Sequence, residues 1–220
     1  MSQPSYECAY CGVVKSATDD HIPPQSIYSP PGPAQAPTVK ACADCNAGAS
    51  DDDEYFRDTL VKWHGIGDKP EAQPLVQKMI RALGKPAKRR YAAKTFQSIG
   101  QAPVYTRGGL LVGMRPSFAI EVPTLRRAAI RYVRGLYRYE RGEPIADARR
   151  VSVVIDPDRI NERMRETLES FRGSKLRVVQ KRVFFYKYGY DDAQPGESVW
   201  LLVFFDAFPI LATVRRDAVR

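Results

Sequence analysis

Residues 8–11 read Cys-Ala-Tyr-Cys, and residues 42–46 read Cys-Ala-Asp-Cys-Asn. The two Cys-x-x-Cys pairs are separated by 30 residues and use all four cysteines of the 220-residue chain. Thiolates three positions apart in a tight turn can converge on one ion, and two such turns complete the tetrahedral coordination that zinc prefers. The sequence therefore predicts a structural Zn²⁺ site with four ligands, which are Cys8, Cys11, Cys42 and Cys45.

Disulfide bonds and a redox-active dithiol are the two alternative uses of paired cysteines. Disulfides need an oxidising compartment, and the opening residues MSQPSYECAY lack the apolar segment of a secretory signal, so we expect a cytoplasmic protein. A redox Cys-x-x-Cys follows a strand and opens a helix in a βαβ unit, and it needs only one pair. The segment around the cysteines has few large apolar residues and many prolines, so metal binding is expected to supply most of its folding free energy.

Asp20 and His21 lie between the two cysteine pairs. Adjacent side chains of an extended strand point to opposite sides, so Asp20 can hold a metal ion while His21 faces a bound phosphate from the far side. Phosphodiester hydrolysis uses both groups, because a divalent ion stabilises charge on the phosphate and a neutral imidazole takes a proton from water. Asn46 directly follows Cys45 and can offer an amide oxygen. Carboxylate, amide and water oxygens suit Mg²⁺ or Mn²⁺ better than a second zinc.

Each of these three residues also has an ordinary structural interpretation. Asp20 could cap a turn before the two prolines that follow, His21 could be a turn histidine, and Asn46 could be a helix N-cap. The acidic run 51–54 is typical of a helix N-terminus, where negative charge complements the dipole, and it could also supply a carboxylate to a metal.

The order of these motifs resembles the zinc-bound branch of the HNH, or His-Me finger, endonucleases, and within it the phage Holliday-junction resolvases. The resemblance covers about residues 6–58 and combines both cysteine pairs with Asp20-His21-Ile22-Pro23 and Asn46. It implies a ββα-metal fold, cleavage of nucleic acid and one catalytic divalent ion. It further implies that Asp20 and Asn46 are metal ligands and that His21 is the general base.

The chain departs from the family pattern at two points. Residues 22–45 contain no asparagine that could fix the loop carrying the base, so Thr38, Gln25 or a backbone carbonyl would have to orient the imidazole. Ala49 stands where the resolvases have an acidic residue, and a carboxylate from the run 51–54 would have to replace it.

Charge divides the chain into an acidic N-terminal part and a basic remainder. Residues 1–60 hold three basic and nine acidic side chains, a net charge of −6, and the whole chain carries +9, so residues 61–220 carry +15. Of the 34 basic residues 23 are arginine, which suits forked contacts to phosphate. This balance predicts a polyanionic partner, DNA through its phosphate backbone, and no membrane association. A homodimer is possible.

Two basic stretches are candidates for contacting that partner. The first crowds six basic residues into positions 81–94, among them Lys88, Arg89 and Arg90. The second is a helix after Pro123 on which five arginines recur every three or four positions, within a stripe roughly 80° wide. Apolar residues fall on the opposite face, so we expect the arginine stripe to face solvent and to bind phosphates. This arginine stripe comprises Arg127, Arg131, Arg134, Arg138 and Arg141.

The predicted architecture is α+β, with a zinc-bound ββα-metal finger over residues 1–66 and a basic, helical and antiparallel-sheet domain over residues 67–220. The periodicity predicts helices over 51–65, 72–83, 86–98, 158–171 and after Pro123. Apolar runs and a Gly-Gly turn predict strands over 104–106, 110–113, 118–122, 151–155, 176–186, 199–205 and 208–214.

We therefore expect a metal-dependent endonuclease that hydrolyses phosphodiester bonds of DNA. The alternative is a non-catalytic nucleic-acid-binding protein that keeps the zinc frame, and a protein-interaction role stays open. The sequence does not distinguish duplex, branched, single-stranded or RNA targets.

Overall fold

The computed structural model describes residues 5–106, 108–155, 174–191, 193–194 and 196–216. Over these residues the chain folds into helices and antiparallel sheets, which confirms the α+β class. The predicted helix over 158–171 lies outside the described residues.

The N-terminal part is a three-stranded antiparallel sheet followed by two helices. The strands are β1 (Ser5–Glu7), β2 (Val14–His21) and β3 (Thr38–Cys42), and the helices are α1 (Ala43–Ala47) and α2 (Ser50–Lys62). The first cysteine pair occupies the turn between β1 and β2, where Gly12 has a φ of +71° that favours glycine. Cys42 pairs with Ala17 at one end of the β2–β3 ladder and His21 pairs with Thr38 at the other.

Two helices and a hairpin come next along the chain. They are α3 (Gln73–Leu83), α4 (Arg89–Gln97) and the paired strands β4 (Ile99–Tyr105) and β5 (Leu111–Phe118). The prediction of a third strand over 118–122 is wrong, because Phe118 ends β5 and Val122 already begins a helix. Pro123 explains the difference, since proline fits the first turn of a helix, where its missing N–H costs nothing.

A long helix and a five-stranded sheet complete the fold. The helix is α5 (Val122–Arg141), and the sheet has the antiparallel order β6-β10-β9-β8-β7. Its strands are β6 (Val151–Val154), β7 (Lys175–Gln180), β8 (Phe184–Tyr190), β9 (Ser198–Phe204) and β10 (Phe208–Val214). The segment 176–186, which the sequence predicts as one strand, spans β7 and β8 with a turn at Arg182, whose φ is +64°.

Helix α5 lies between the N-terminal sheet and the five-stranded sheet. It packs against α2 and β3 on one side and against β6 and β10 on the other. Gly135 marks the closest approach, because a Cβ built there would lie 2.2 Å from Cδ1 of Ile22 and 3.1 Å from the Tyr10 hydroxyl. One buried core runs through both sides of the helix. The division into domains at residue 66 stays a prediction.

Candidate functional site

The four cysteine sulfurs form a compact group, here called the sulfur cluster. All four Sγ atoms lie within 4.8 Å of one another, and the cysteines are free thiols rather than disulfides. The Sγ atoms of Cys11 and Cys42 are 3.9 Å apart, close to the edge of about 3.8 Å expected for a tetrahedron of sulfurs around zinc. Bonded sulfurs would be about 2 Å apart. The geometry therefore fits one metal ion such as zinc.

The backbone around Cys8 favours its thiolate. The N–H groups of Tyr10 and Cys42 donate to the Cys8 sulfur, each at 3.4 Å. Burial opposes ionisation of Cys8, but backbone donors from Cys11, Cys42 and Tyr10 outweigh it and lower its pKa to about 6. Because thiolates are the form that binds metal, these donors favour metal binding at Cys8, whereas burial and the neighbouring sulfurs raise the pKa of Cys45.

A second polar group, here called the oxygen cluster, comprises Asp20, Asn46 and Asp53. Asp20 is at the end of β2, Asn46 on α1 and Asp53 on α2. Within the described parts of the chain, no set of three His, Cys, Asp or Glu side chains other than the four cysteines brings its ligand atoms as close together. With Asp20, Asp53 and Asn46 as its members, the oxygen cluster offers two carboxylates and one amide.

The guanidinium of Arg131 joins the three members of the oxygen cluster. Its Nη2 donates to Oδ2 of Asp20 at 2.8 Å and to Oδ1 of Asn46 at 3.3 Å. Its Nη1 donates to Oδ2 of Asp53 at 3.0 Å. Arg131 and Asp20 are largely buried, with 12% and 8% of their side chains exposed. The structure therefore brings together the two predicted metal ligands, with a cation between them.

Two tyrosines and a threonine orient the oxygen cluster. The hydroxyl of Tyr10 donates to Asp20, and that of Tyr132 donates to Oδ1 of Asp53 at 3.0 Å. The amide of Asn46 donates to the Thr18 hydroxyl at 3.0 Å, which turns its carbonyl oxygen toward Arg131. Burial raises the pKa of both tyrosines well above the usual value, so their hydroxyls stay protonated and donate.

Of the three members of the oxygen cluster, Asp53 is the one that the sequence indicates least strongly as a metal ligand. Burial raises its pKa, while the charge of Arg131 and the hydrogen bond from Tyr132 oppose that shift. The acidic run after Ala49 is the sequence signal for this carboxylate, although four adjacent acidic residues do not reveal which one faces Asp20.

His21 lies on the other side of β2, next to Asp20 in sequence. It is half-buried, and it lines a cleft of about 510 Å³ together with Gln25, Tyr28 and Thr38. The Gln25 amide nitrogen lies 3.0 Å from Nε2 of His21, where an amide N–H can donate to a neutral imidazole. Of the candidates for orienting the base, Gln25 is therefore the residue in contact with its ring.

The arginine stripe faces solvent only at its ends: Arg127 and Arg141 are exposed, whereas Arg131, Arg134 and Arg138 are partly buried. Arg127 donates through Nε and Nη2 to Asp52, at 2.8 and 2.7 Å. Nε of Arg134 donates to the Ile145 carbonyl at 2.7 Å, and Arg134 also donates to the carbonyl of Tyr10. The remaining partners are Asp20, Asn46 and Asp53 for Arg131, Glu7 for Arg138, and the ring of Tyr190 beneath Arg141.

The physical reason is that the acidic N-terminal part packs against this face of α5. Its carboxylates neutralise arginines that the sequence assigns to phosphate, so the outward-facing expectation is wrong for the three central arginines of the stripe. In the other basic stretch, Lys88 forms an ion pair with Glu54, whereas Arg89 and Arg90 are exposed at the start of α4.

Comparisons with protein-family models, with curated proteins and with solved structures found no match. Among the described residues, no helix combines the length and the apolar character needed to cross a membrane.

Proposed function

We propose that this chain is a metal-dependent endonuclease built on a zinc-stabilised ββα-metal finger, as its resemblance to HNH enzymes implies. One observation carries the proposal: Oδ2 of Asp20 and Oδ1 of Asn46 lie 2.8 and 3.3 Å from the same nitrogen of Arg131. Two oxygens 26 positions apart in sequence thus share one cation. His21 is the last residue of β2 and Asn46 lies on α1, after β3, and this order supports the proposal.

The sulfur cluster has a structural role in this proposal. Cys42 and Cys45 fix the start of α1, and Asn46 follows Cys45 directly. A zinc ion bound by all four thiolates would therefore hold Asn46 against β2, where Asp20 lies.

The oxygen cluster would hold the divalent ion through Asp20 and Asn46, with Asp53 as a third oxygen. Carboxylate and amide oxygens are the hard ligands that Mg²⁺ and Mn²⁺ prefer. When bound, such an ion would stabilise negative charge on the scissile phosphate and its leaving oxygen. Tyr10 and Tyr132 would keep the two carboxylates oriented through the hydrogen bonds that they already donate.

His21 is the general base in this proposal. Its ring reaches the cleft, so water can approach it, and Gln25 limits its rotation. The lone pair at Nε2 accepts from the Gln25 amide in this structure, so Gln25 would have to release it before it could take the proton from the attacking water. This role needs the neutral form of the imidazole.

DNA is the proposed substrate. The excess of basic residues after position 60 would attract its phosphates, and Arg89 and Arg90 are exposed in that part. Because α5 uses the three central arginines of its stripe internally, phosphate contacts are expected from α4 rather than from this face of α5.

A specific observation also favours a second function. Arg131 already fills the space between the proposed metal ligands, and His21 is on the opposite face of β2 from Asp20. A protein that binds nucleic acid without cutting it, and that keeps the sulfur cluster for stability alone, would also have these features.

A plasmid-nicking assay with Mg²⁺ or Mn²⁺ separates the two functions. Replacing His21 with alanine removes the base, so we expect nicking to fall by about 10²-fold or more. His64→Ala is the matched control, because His64 is the other histidine of the chain and is exposed after α2. Equal conversion of supercoiled DNA by wild type and His21→Ala would contradict the catalytic proposal.

A further inference from the structure

The cation at the centre of the oxygen cluster is part of the chain. Arg131 extends from α5 and contacts all three members of the oxygen cluster with two guanidinium nitrogens. The guanidinium also lies over the Tyr10 ring, 4.9 Å from its centroid. A metal ion held between Oδ2 of Asp20 and Oδ1 of Asn46 would compete with Nη2 for these two oxygens.

Charge makes simultaneous occupancy unfavourable. Asp20 and Asp53 supply two negative charges, and Arg131 supplies one positive charge in a site that is largely buried. Adding a divalent ion would give three positive charges against two negative ones, with the guanidinium and the ion in contact distance. Like charges at such separations repel strongly where solvent is largely excluded.

One N–H of the Arg131 guanidinium lacks an acceptor within the described ranges. Its Nε is buried and has no hydrogen-bond partner among the described residues. Burying an N–H donor without an acceptor opposes the closed arrangement, so the guanidinium can leave at a smaller cost than a fully paired arginine would need.

We propose that Arg131 and a divalent ion are alternative occupants of the oxygen cluster, so that this arginine closes the metal site until it is displaced. The inference rests on the proposed function, since the ion is the one that the endonuclease would use. In this proposal Arg131 is a gate that controls access to the metal ligands and does not bind phosphate. Metal affinity of the wild-type chain is then set by the fraction of molecules in which Arg131 has left.

The test measures the affinity of the zinc-loaded, full-length chain for Mn²⁺ by isothermal titration calorimetry. Arg131→Met keeps the length of the aliphatic stem and removes the competing cation. If Arg131 fills the site in nine molecules of ten or more, this variant should bind Mn²⁺ at least about tenfold more tightly than wild type. Arg127→Met is the matched control on the same helix, because Arg127 contacts Asp52 and not the oxygen cluster. The Mn²⁺ affinity of this variant should equal that of wild type.

A second pair of variants keeps the proposal open to contradiction. Asp20→Asn in the Arg131→Met background should abolish the gain, which assigns the bound Mn²⁺ to the oxygen cluster. If Arg131→Met does not fold, Arg131→Gln replaces it, because glutamine can still hydrogen-bond to the carboxylates but carries no positive charge. Equal Mn²⁺ affinities in wild type and in the folded variant, or no binding by either, would overturn the proposal.

Nicking assays on the same proteins distinguish this proposal from the proposed function. Tighter Mn²⁺ binding by Arg131→Met, with no nicking by any variant, would support the gate and contradict the endonuclease. Nicking by wild type, with equal Mn²⁺ affinities, would contradict the gate and leave the endonuclease standing.

Discussion

The sulfur cluster and the oxygen cluster are neighbouring polar groups that are assembled in different ways. The sulfur cluster comes from two short motifs within residues 8–45, and the Cys8 sulfur accepts one hydrogen bond from its own turn and one from the N–H of Cys42 in the other motif. The oxygen cluster is closed by Arg131, which is 111 positions from Asp20. The first is therefore a local site that requires an added cation, and the second is a tertiary site that contains one.

This difference predicts that the structure of the sulfur cluster depends on a metal ion and that the structure of the oxygen cluster does not. Four thiolates at close range repel one another unless a cation lies among them, so zinc should stabilise the N-terminal part directly. The two carboxylates of the oxygen cluster already have a guanidinium and two tyrosine hydroxyls as partners. The oxygen cluster should therefore keep its structure without a divalent ion.

The largest expected effect is on the sulfur cluster. Cys8→Ser removes one ligand, so the variant should lose zinc, and the free energy of unfolding should fall by more than about 4 kcal/mol. Zinc content per chain and far-UV circular dichroism measure the two effects. Divalent-ion removal that leaves zinc bound should change neither quantity.

Ala9→Ser is the matched control for this variant. Ala9 is the next residue and is as fully buried as Cys8, so it introduces the same hydroxyl without removing a ligand. It should keep one zinc per chain and cost about 1–3 kcal/mol, the penalty of a buried unpaired hydroxyl. Full zinc content and wild-type stability in Cys8→Ser would show that three thiolates suffice.

Sequence predicted the sulfur cluster because ligand identity and spacing are both local. A Cys-x-x-Cys turn brings its two sulfurs together whatever the rest of the chain does. Apolar runs predicted much of the five-stranded sheet for a related reason, and β10 has the expected bounds 208–214. Both signals lie within a few consecutive residues.

The arginine stripe shows what such signals leave out. Helical periodicity assigned these side chains correctly to one face of α5, and it placed Leu125 and Leu136 on the buried opposite face. Periodicity does not tell which element covers a face, and here the acidic N-terminal part covers it. Asp53 was hard to select for the same reason, because its role depends on α5 and not on its neighbours in sequence.

An intermediate effect is expected where a tyrosine supports the oxygen cluster. Tyr132→Phe removes the hydroxyl that donates to Asp53 at 3.0 Å, leaving a largely buried carboxylate oxygen without that donor. The free energy of unfolding should fall by about 1–3 kcal/mol. Urea unfolding, with the midpoint and slope both recorded, measures the change.

Tyr28→Phe provides the control, since the Tyr28 hydroxyl is buried and has no partner in the part of the chain that the structure describes. Removing an unpaired buried hydroxyl should leave stability unchanged or raise it slightly. If both variants lose the same amount, the Tyr132 hydrogen bond adds nothing, and Asp53 is held by Arg131 alone.

The smallest effect is expected one turn along α5, at Arg127. Its ion pair with Asp52 has good geometry, but 59% of the Arg127 side chain is exposed, against 12% for Arg131. Water and salt screen an exposed pair, so a double-mutant cycle of Arg127→Met with Asp52→Asn should give a coupling below about 1 kcal/mol. The equivalent cycle of Arg131→Met with Asp53→Asn should give about 1.5–3 kcal/mol, because that pair is shielded from solvent. Repeating both cycles in 1 M NaCl should reduce the first coupling and leave most of the second. A coupling at Arg127 as large as that at Arg131 would mean that burial does not set the strength of these pairs, and the contrast between an internal cation and an ordinary surface arginine would fail.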